Sequence, residues 1–150
     1  MSQESTIKQP SESMQRSITL PNDIATIPQL SEFVETVCEE MGLDMAIMMN
    51  LNLAIEEAVV NVMSYAYPDG KGDVTVDIKV DSEKVMVTLT DSGIPFDPTQ
   101  KGEVDTTLPA EERPIGGLGI HLVKQLMDKV SYQYTDHQNI LTLEKIINNS

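Results

Sequence analysis

Residues 73–91 read DVTVDIKVDSEKVMVTLTD, and this stretch decides the fold. Val74, Val76, Ile78 and Val80 alternate with polar residues, and so do Val85, Val87 and Leu89. A period of two puts each apolar set on one face of a half-buried strand. Asp81-Ser82-Glu83-Lys84 between them has turn composition, so the stretch predicts an antiparallel hairpin. Just upstream the period changes. Ile47, Leu51, Ala54, Ile55, Ala58, Val62 and Tyr65 recur at helical spacing, with Asp44 as N-cap and Tyr67-Pro68-Asp69-Gly70 as the close after Ala66. Before it, Ile24 to Met41 reads as a first helix with Pro28 in its first turn and Gly42 as its stop. Arg16 to Leu20 is an edge-strand candidate ended by Pro21-Asn22.

Downstream, Asp91 to Gly117 is rich in Gly, Pro and acidic residues and longer than most connections, which marks it as a candidate lid. A third helix is expected from Gly119 to about Lys129, with Ile120, Val123, Leu126, Met127 and Val130 on or near one face, then closing strands at Tyr132–Tyr134 and Ile140–Ile146. The order βααββαββ predicts an α+β two-layer sandwich, helices on one face of a mixed, mainly antiparallel sheet. Residues 1–15, rich in Ser, Gln and Glu, read as a flexible tail, 16–147 as one domain and 148–150 as a short end.

The 150 residues carry 24 acidic and 10 basic side chains, a formal charge of −14. Such a field repels phosphate backbones and anionic membranes, so no direct nucleic-acid or membrane partner is expected. The lone Cys38 cannot form an internal disulfide, which fits a cytoplasmic location. No export signal is read, and no run of about 18 apolar residues is counted along the chain. Leu30, Phe33 and Val37 on the first helix suit a core better than a homodimer face, though both uses are open. His121 and His137 are too isolated to read as a metal site or relay.

Three constellations carry chemistry. Glu57 and Asn61, four apart, share one helix face. A carboxamide oxygen suits Mg²⁺, and a carboxylate one turn away can take a proton from an attacking hydroxyl. For the pair taken alone, solvated positions on an amphipathic helix are the readier explanation. Asp91-Ser92-Gly93 ends a buried strand, where Asp91 can accept from an exocyclic amine and Gly93 lets a flat base approach the backbone. Ordinary turn chemistry explains that too, and Asp97-Pro98 reads as a turn element. Gly116-Gly117-Leu118-Gly119 precedes the third helix, where backbone N–H groups can meet a phosphate; a tight corner is the alternative. No Lys-Ser/Thr follows, so it is not a Walker A loop.

Taken in order, Glu57-x-x-x-Asn61, Asp91-x-Gly93 and Gly117-x-Gly119 resemble the N, G1 and G2 boxes of the gyrase, heat-shock chaperone, histidine kinase and MutL ATPase superfamily. Ala66-Tyr67, Pro95-Phe96-Asp97-Pro98 and Glu112-Arg113-Pro114-Ile115-Gly116-Gly117-Leu118-Gly119-Ile120 are similar to bacterial anti-sigma-factor serine kinases, over roughly Ser17 to Lys145. The resemblance implies a Bergerat-type site for Mg·ATP and phosphorylation of a serine on a small anti-sigma-factor antagonist, with inhibition of a sigma factor as a further role. It makes Glu57 the general base, Asn61 the Mg²⁺ ligand and Asp91 the adenine reader. Gly93 then lines the base pocket, Gly116, Gly117, Leu118 and Gly119 lie by the phosphates, and Arg113 in the lid neutralises γ-phosphate charge. Two positions depart from the pattern. Tyr65 stands where many relatives have His, and the Gly-Thr on the strand after the G2 helix is missing, with Asn139 in roughly that region. A nucleotide-gated binding module and a histidine-kinase catalytic domain are the alternatives; a carboxylate base such as Glu57 argues against the second.

Overall fold

The computed structural model describes residues 14–101 and 117–147. Five strands, β1 (Met14–Pro21), β2 (Asp73–Val80), β3 (Lys84–Asp91), β4 (Lys129–Thr135) and β5 (Gln138–Ile146), form one sheet in the order β1-β2-β3-β5-β4. All four pairings are antiparallel, so the expected mixed sheet is purely antiparallel across these strands. Three helices, α1 (Ile27–Glu40), α2 (Met45–Tyr65) and α3 (Gly117–Leu126), cover one face. The two-layer α+β sandwich is as expected.

The hairpin pattern works as its period requires. Val74, Val76, Ile78 and Val80 face Val85, Val87 and Leu89 on the buried side, in a register pairing Val80 with Val85 and Val74 with Asp91. Asp81 fixes the turn by accepting from the backbone N–H of Glu83 and Lys84 at 2.8 and 2.9 Å, bonds that hold its carboxyl below the ordinary range. β1 starts at Met14, two residues before the expected edge, because Met14 and Gln15 still pair with Val80 and Lys79.

The first expected helix is broken. Ile24–Thr26 forms a 3-10 turn capped by Asp23, and α1 begins at Ile27 because Pro28 has no N–H to return to Ile24. Gly42, at φ +68°, takes the left-handed conformation that stops the segment. Asp44 caps α2 as expected, accepting from Ile47 N at 2.9 Å. Leu30 and Val37 are buried in the core and Phe33 packs against it.

α3 starts at Gly117 and ends at Leu126, two residues earlier and three residues earlier than expected. Its end is set by β5: Lys145 Nζ donates to Leu126 O at 3.1 Å, and Asp128 joins the strands, its N–H donating to Glu144 O at 2.8 Å. β4 and β5 join through Asp136 and His137, both with positive φ (53° and 63°), the two-residue hairpin geometry that follows the sheet's twist. Both strands are therefore longer than expected.

The expected count of apolar runs holds, since Asn50, Asn52, Glu56, Glu57 and Asn61 interrupt the apolar residues of α2. The 21 residues of α2 are long and apolar enough to cross a bilayer by composition. Here Leu51, Ala54, Ile55, Ala58, Val59 and Val62 are buried in the domain core, so the apolarity serves packing.

Cys38 lies in that core, and burial first, then the Glu35 and Glu39 charges, push its thiol up to about 11. Native protein at mildly alkaline pH should therefore react with a thiol reagent on the order of 10²-fold more slowly than the urea-unfolded chain. Equal rates in a stopped-flow comparison would contradict this packing.

Candidate functional site

α2 lies between α1 and α3 in the helix layer and packs against both. Asn61 is among its buried residues, 1% exposed, and its Nδ2 donates a long 3.5 Å bond to Glu57 O one turn back. Glu57 itself is half-buried. The expected pair thus sits on one helix face at the edge of the core. Gly117, Leu118 and Gly119 form the first turn of α3, where N–H groups lack intrahelical acceptors. Arg113 and Gly116 lie outside the described residues.

At the end of β3, Asp91 is 4% exposed. Gly93 N–H and Asn139 Nδ2 both donate to its Oδ1 at 2.9 Å. Burial raises the Asp91 pKa above the ordinary carboxylate value, and these two bonds draw it back in part. No cation among the described residues pairs with it.

Gly93 has a structural reason to be glycine. A Cβ there would fall 2.1 Å from Ala66 O, the C-cap residue of α2, and Ile94 N–H donates to that same carbonyl at 2.8 Å. The residues around Ala66 extend the junction. Tyr65 stacks on Phe96 with ring centroids 5.0 Å apart. Tyr67 OH donates to Asp73 O at 2.6 Å and accepts from Ser92 N at 2.9 Å. Asp97 is the turn element expected, accepting from Thr99 N at 2.8 Å.

Asn139 is buried opposite Asp91 in the β3–β5 register. Besides Asp91 it reaches Ile94 O at 2.8 Å, and it accepts from Phe96 N at 3.0 Å and from the Tyr132 hydroxyl. Tyr132 was missed from sequence. Its signal was the two-residue turn at Asp136-His137, which sets β4 against β5 and brings Tyr132 and Asn139 to the same face.

Gly93→Ala should destabilise the fold by about 1–3 kcal/mol, the usual cost of overpacking, because the atom it meets is backbone. A thermal melt measures this; an unchanged midpoint with lost ligand binding would mean the glycine serves a ligand and not the helix contact.

Residues 20–145 match the family described as Histidine kinase-like ATPase domain. The chain is 26% identical over 131 residues to a serine-protein kinase RsbW of Bacillus mycoides, covering 80% of this chain and 82% of that one, and equally to its counterpart in Bacillus cereus. Among solved structures it resembles the RsbU and RsbW domains of Rv1364c from Mycobacterium tuberculosis, with a TM-score of 0.62 at 16% identity, covering 91% of this chain and 34% of that longer one. The SiaB–SiaC complex from Pseudomonas aeruginosa is similar in fold, with a TM-score of 0.55 at 14% identity over 94% and 93% of the two chains. With a family match over most of its length and the motif residues on the expected elements, the chain belongs to the histidine kinase-like ATPase domains.

Proposed function

We propose that this chain binds Mg·ATP and transfers the γ-phosphoryl group to a serine of a small protein of the anti-sigma-factor-antagonist type, in the cytoplasm. The RsbW relatives are named serine-protein kinases, and the SiaB–SiaC structure is a complex with a second protein. The donor set fits a magnesium nucleotide: a buried carboxylate held by neutral donors at a strand end, and a carboxamide on the neighbouring helix. Asn61 would hold the cation and Asp91 the adenine amine. The first turn of α3 would meet the phosphates, with Arg113 from the lid. Mg²⁺, when bound, neutralises charge on the phosphate oxygens. Glu57 would accept the proton of the attacking serine hydroxyl.

The observation that carries the protein-substrate reading is a single ridge on α2. Met45, Met49, Leu53, Glu57 and Asn61 follow one another at four-residue steps, each turning about 40° further round the helix. Exposure falls along it from 67% at Met45 through 62% and 43% at Met49 and Leu53 to 1% at Asn61. Three exposed apolar side chains therefore lead directly to the proposed base. Exposed Glu32, Glu35 and Glu39 stand on neighbouring α1, so two copies of this acidic face would repel each other. A protein partner with apolar contacts and a basic rim fits it.

The test compares wild type with Glu57→Gln, Asn61→Ala and Met49→Lys, using the protein partner captured on Mg·ATP-loaded chain. Glu57→Gln should keep nucleotide affinity and lose phosphoserine formation by about 10²–10⁴-fold. Asn61→Ala should weaken Mg·ATP binding itself, and Met49→Lys should weaken transfer while leaving nucleotide affinity intact. Equal transfer by wild type and Glu57→Gln rejects the base; tight partner binding with no transfer by wild type favours a nucleotide-gated switch.

A further inference from the structure

Asn139 makes four hydrogen bonds, the full capacity of a carboxamide with two donors and two acceptor sites. Two of its partners cannot reverse roles. Phe96 N–H only donates and Ile94 C=O only accepts. A flipped amide would set donor against donor and acceptor against acceptor, so Nδ2 must face Asp91. The Tyr132 hydroxyl, the second donor to Oδ1, holds the same orientation from β4.

The consequence falls on Asp91. Oδ1 receives both Asn139 Nδ2 and Gly93 N–H, so its acceptor sites are used. Any group the carboxylate reads must meet Oδ2. An amine N–H satisfies that oxygen, whereas a carbonyl oxygen at the same place meets another acceptor. Adenine carries an amine where guanine carries a carbonyl.

We infer that Asn139, locked by Tyr132, Phe96 and Ile94, is the positioning residue that makes Asp91 select adenine over guanine nucleotides. The inference rests on the nucleotide reading above. All four hydrogen bonds of the Asn139 amide go to protein groups, so loss of that amide should appear as lost discrimination.

The experiment measures Mg·ATP and Mg·GTP affinity by calorimetry, and melting without nucleotide, from mildly acid to mildly alkaline pH. The proteins are wild type, Asn139→Leu, Asn139→Asp and Tyr132→Phe. Asn139→Leu should lower the ATP-to-GTP affinity ratio by at least about tenfold, and Tyr132→Phe by less, because Phe96 still orients the amide. Asn139→Asp sets two carboxyls against each other, and they share one proton. The folded pair then has a pKa above its unfolded value, so stability and ATP preference are present at acid pH and lost as pH rises through that pKa. If Asn139→Leu does not fold, this acid rescue carries the test. An unchanged ratio in folded Asn139→Leu, or an Asn139→Asp profile that follows wild type, overturns the inference alone. A wild type that binds neither nucleotide overturns the nucleotide reading and this inference with it.

Discussion

The last carbonyls of a helix have no partner within the helix, and in α2 the one at Ala66 is met by the N–H of Ile94 at 2.8 Å. That bond brings the backbone after β3 so close to the helix end that no side chain fits at position 93. The other features of the junction depend on this approach. Tyr65 can stack on Phe96 and Tyr67 can bridge Ser92 to Asp73 only because the loop is held there. The same loop presents Ile94 O and Phe96 N to Asn139, which in turn holds Asp91. The helix bearing Glu57 and Asn61 and the strand bearing Asp91 thus form one unit.

Much of this was legible from sequence, for reasons that differ by element. Alternation at Val74–Val80 and Val85–Leu89 named the central hairpin because one side of that sheet is buried and the other polar. Asp44 and Gly42 marked helix ends because capping is local chemistry. The end of α3 was not legible. It depends on Lys145 and Glu144, which are distant in sequence and reach Leu126 and Asp128 only once β5 is in place. Both closing strands were legible but not their full length, because the two left-handed positions of their turn hold Asp and His and not the usual glycine.

The site shows the same division. Glu57, Asn61 and Asp91 could be picked out by type, spacing and position at an element's end. Gly93 was legible as a special position but for an incomplete reason: the close neighbour that the structure places there is Ala66 O. The role of Tyr65 was not legible, since its ring partner Phe96 lies across the fold. Asn139 was noticed only through what was missing from its region. Its four partners come from β3, β4 and the loop after β3, a set that no local pattern contains.

A chain of net charge −14 that accepts a nucleotide must solve two opposite problems at the ends of one ligand. On the proposed reading, the base end needs Asp91 to stay an acceptor in a buried place, where desolvation favours its protonation. A cationic partner would stabilise the charge but also compete for the oxygen. Neutral donors at Asn139 and Gly93 lower the cost of the charge and both meet Oδ1, which leaves Oδ2 outside those two bonds. At the phosphates the need is reversed, since the ligand is itself anionic and the chain carries a net charge of −14. There the first turn of α3 can offer N–H dipoles at short range, which act within a few ångströms while the net charge is screened over about 8–10 Å. On the proposed reading, short-range dipoles at both ends would let an acidic chain keep its long-range repulsion of polyanions and still hold one small anion.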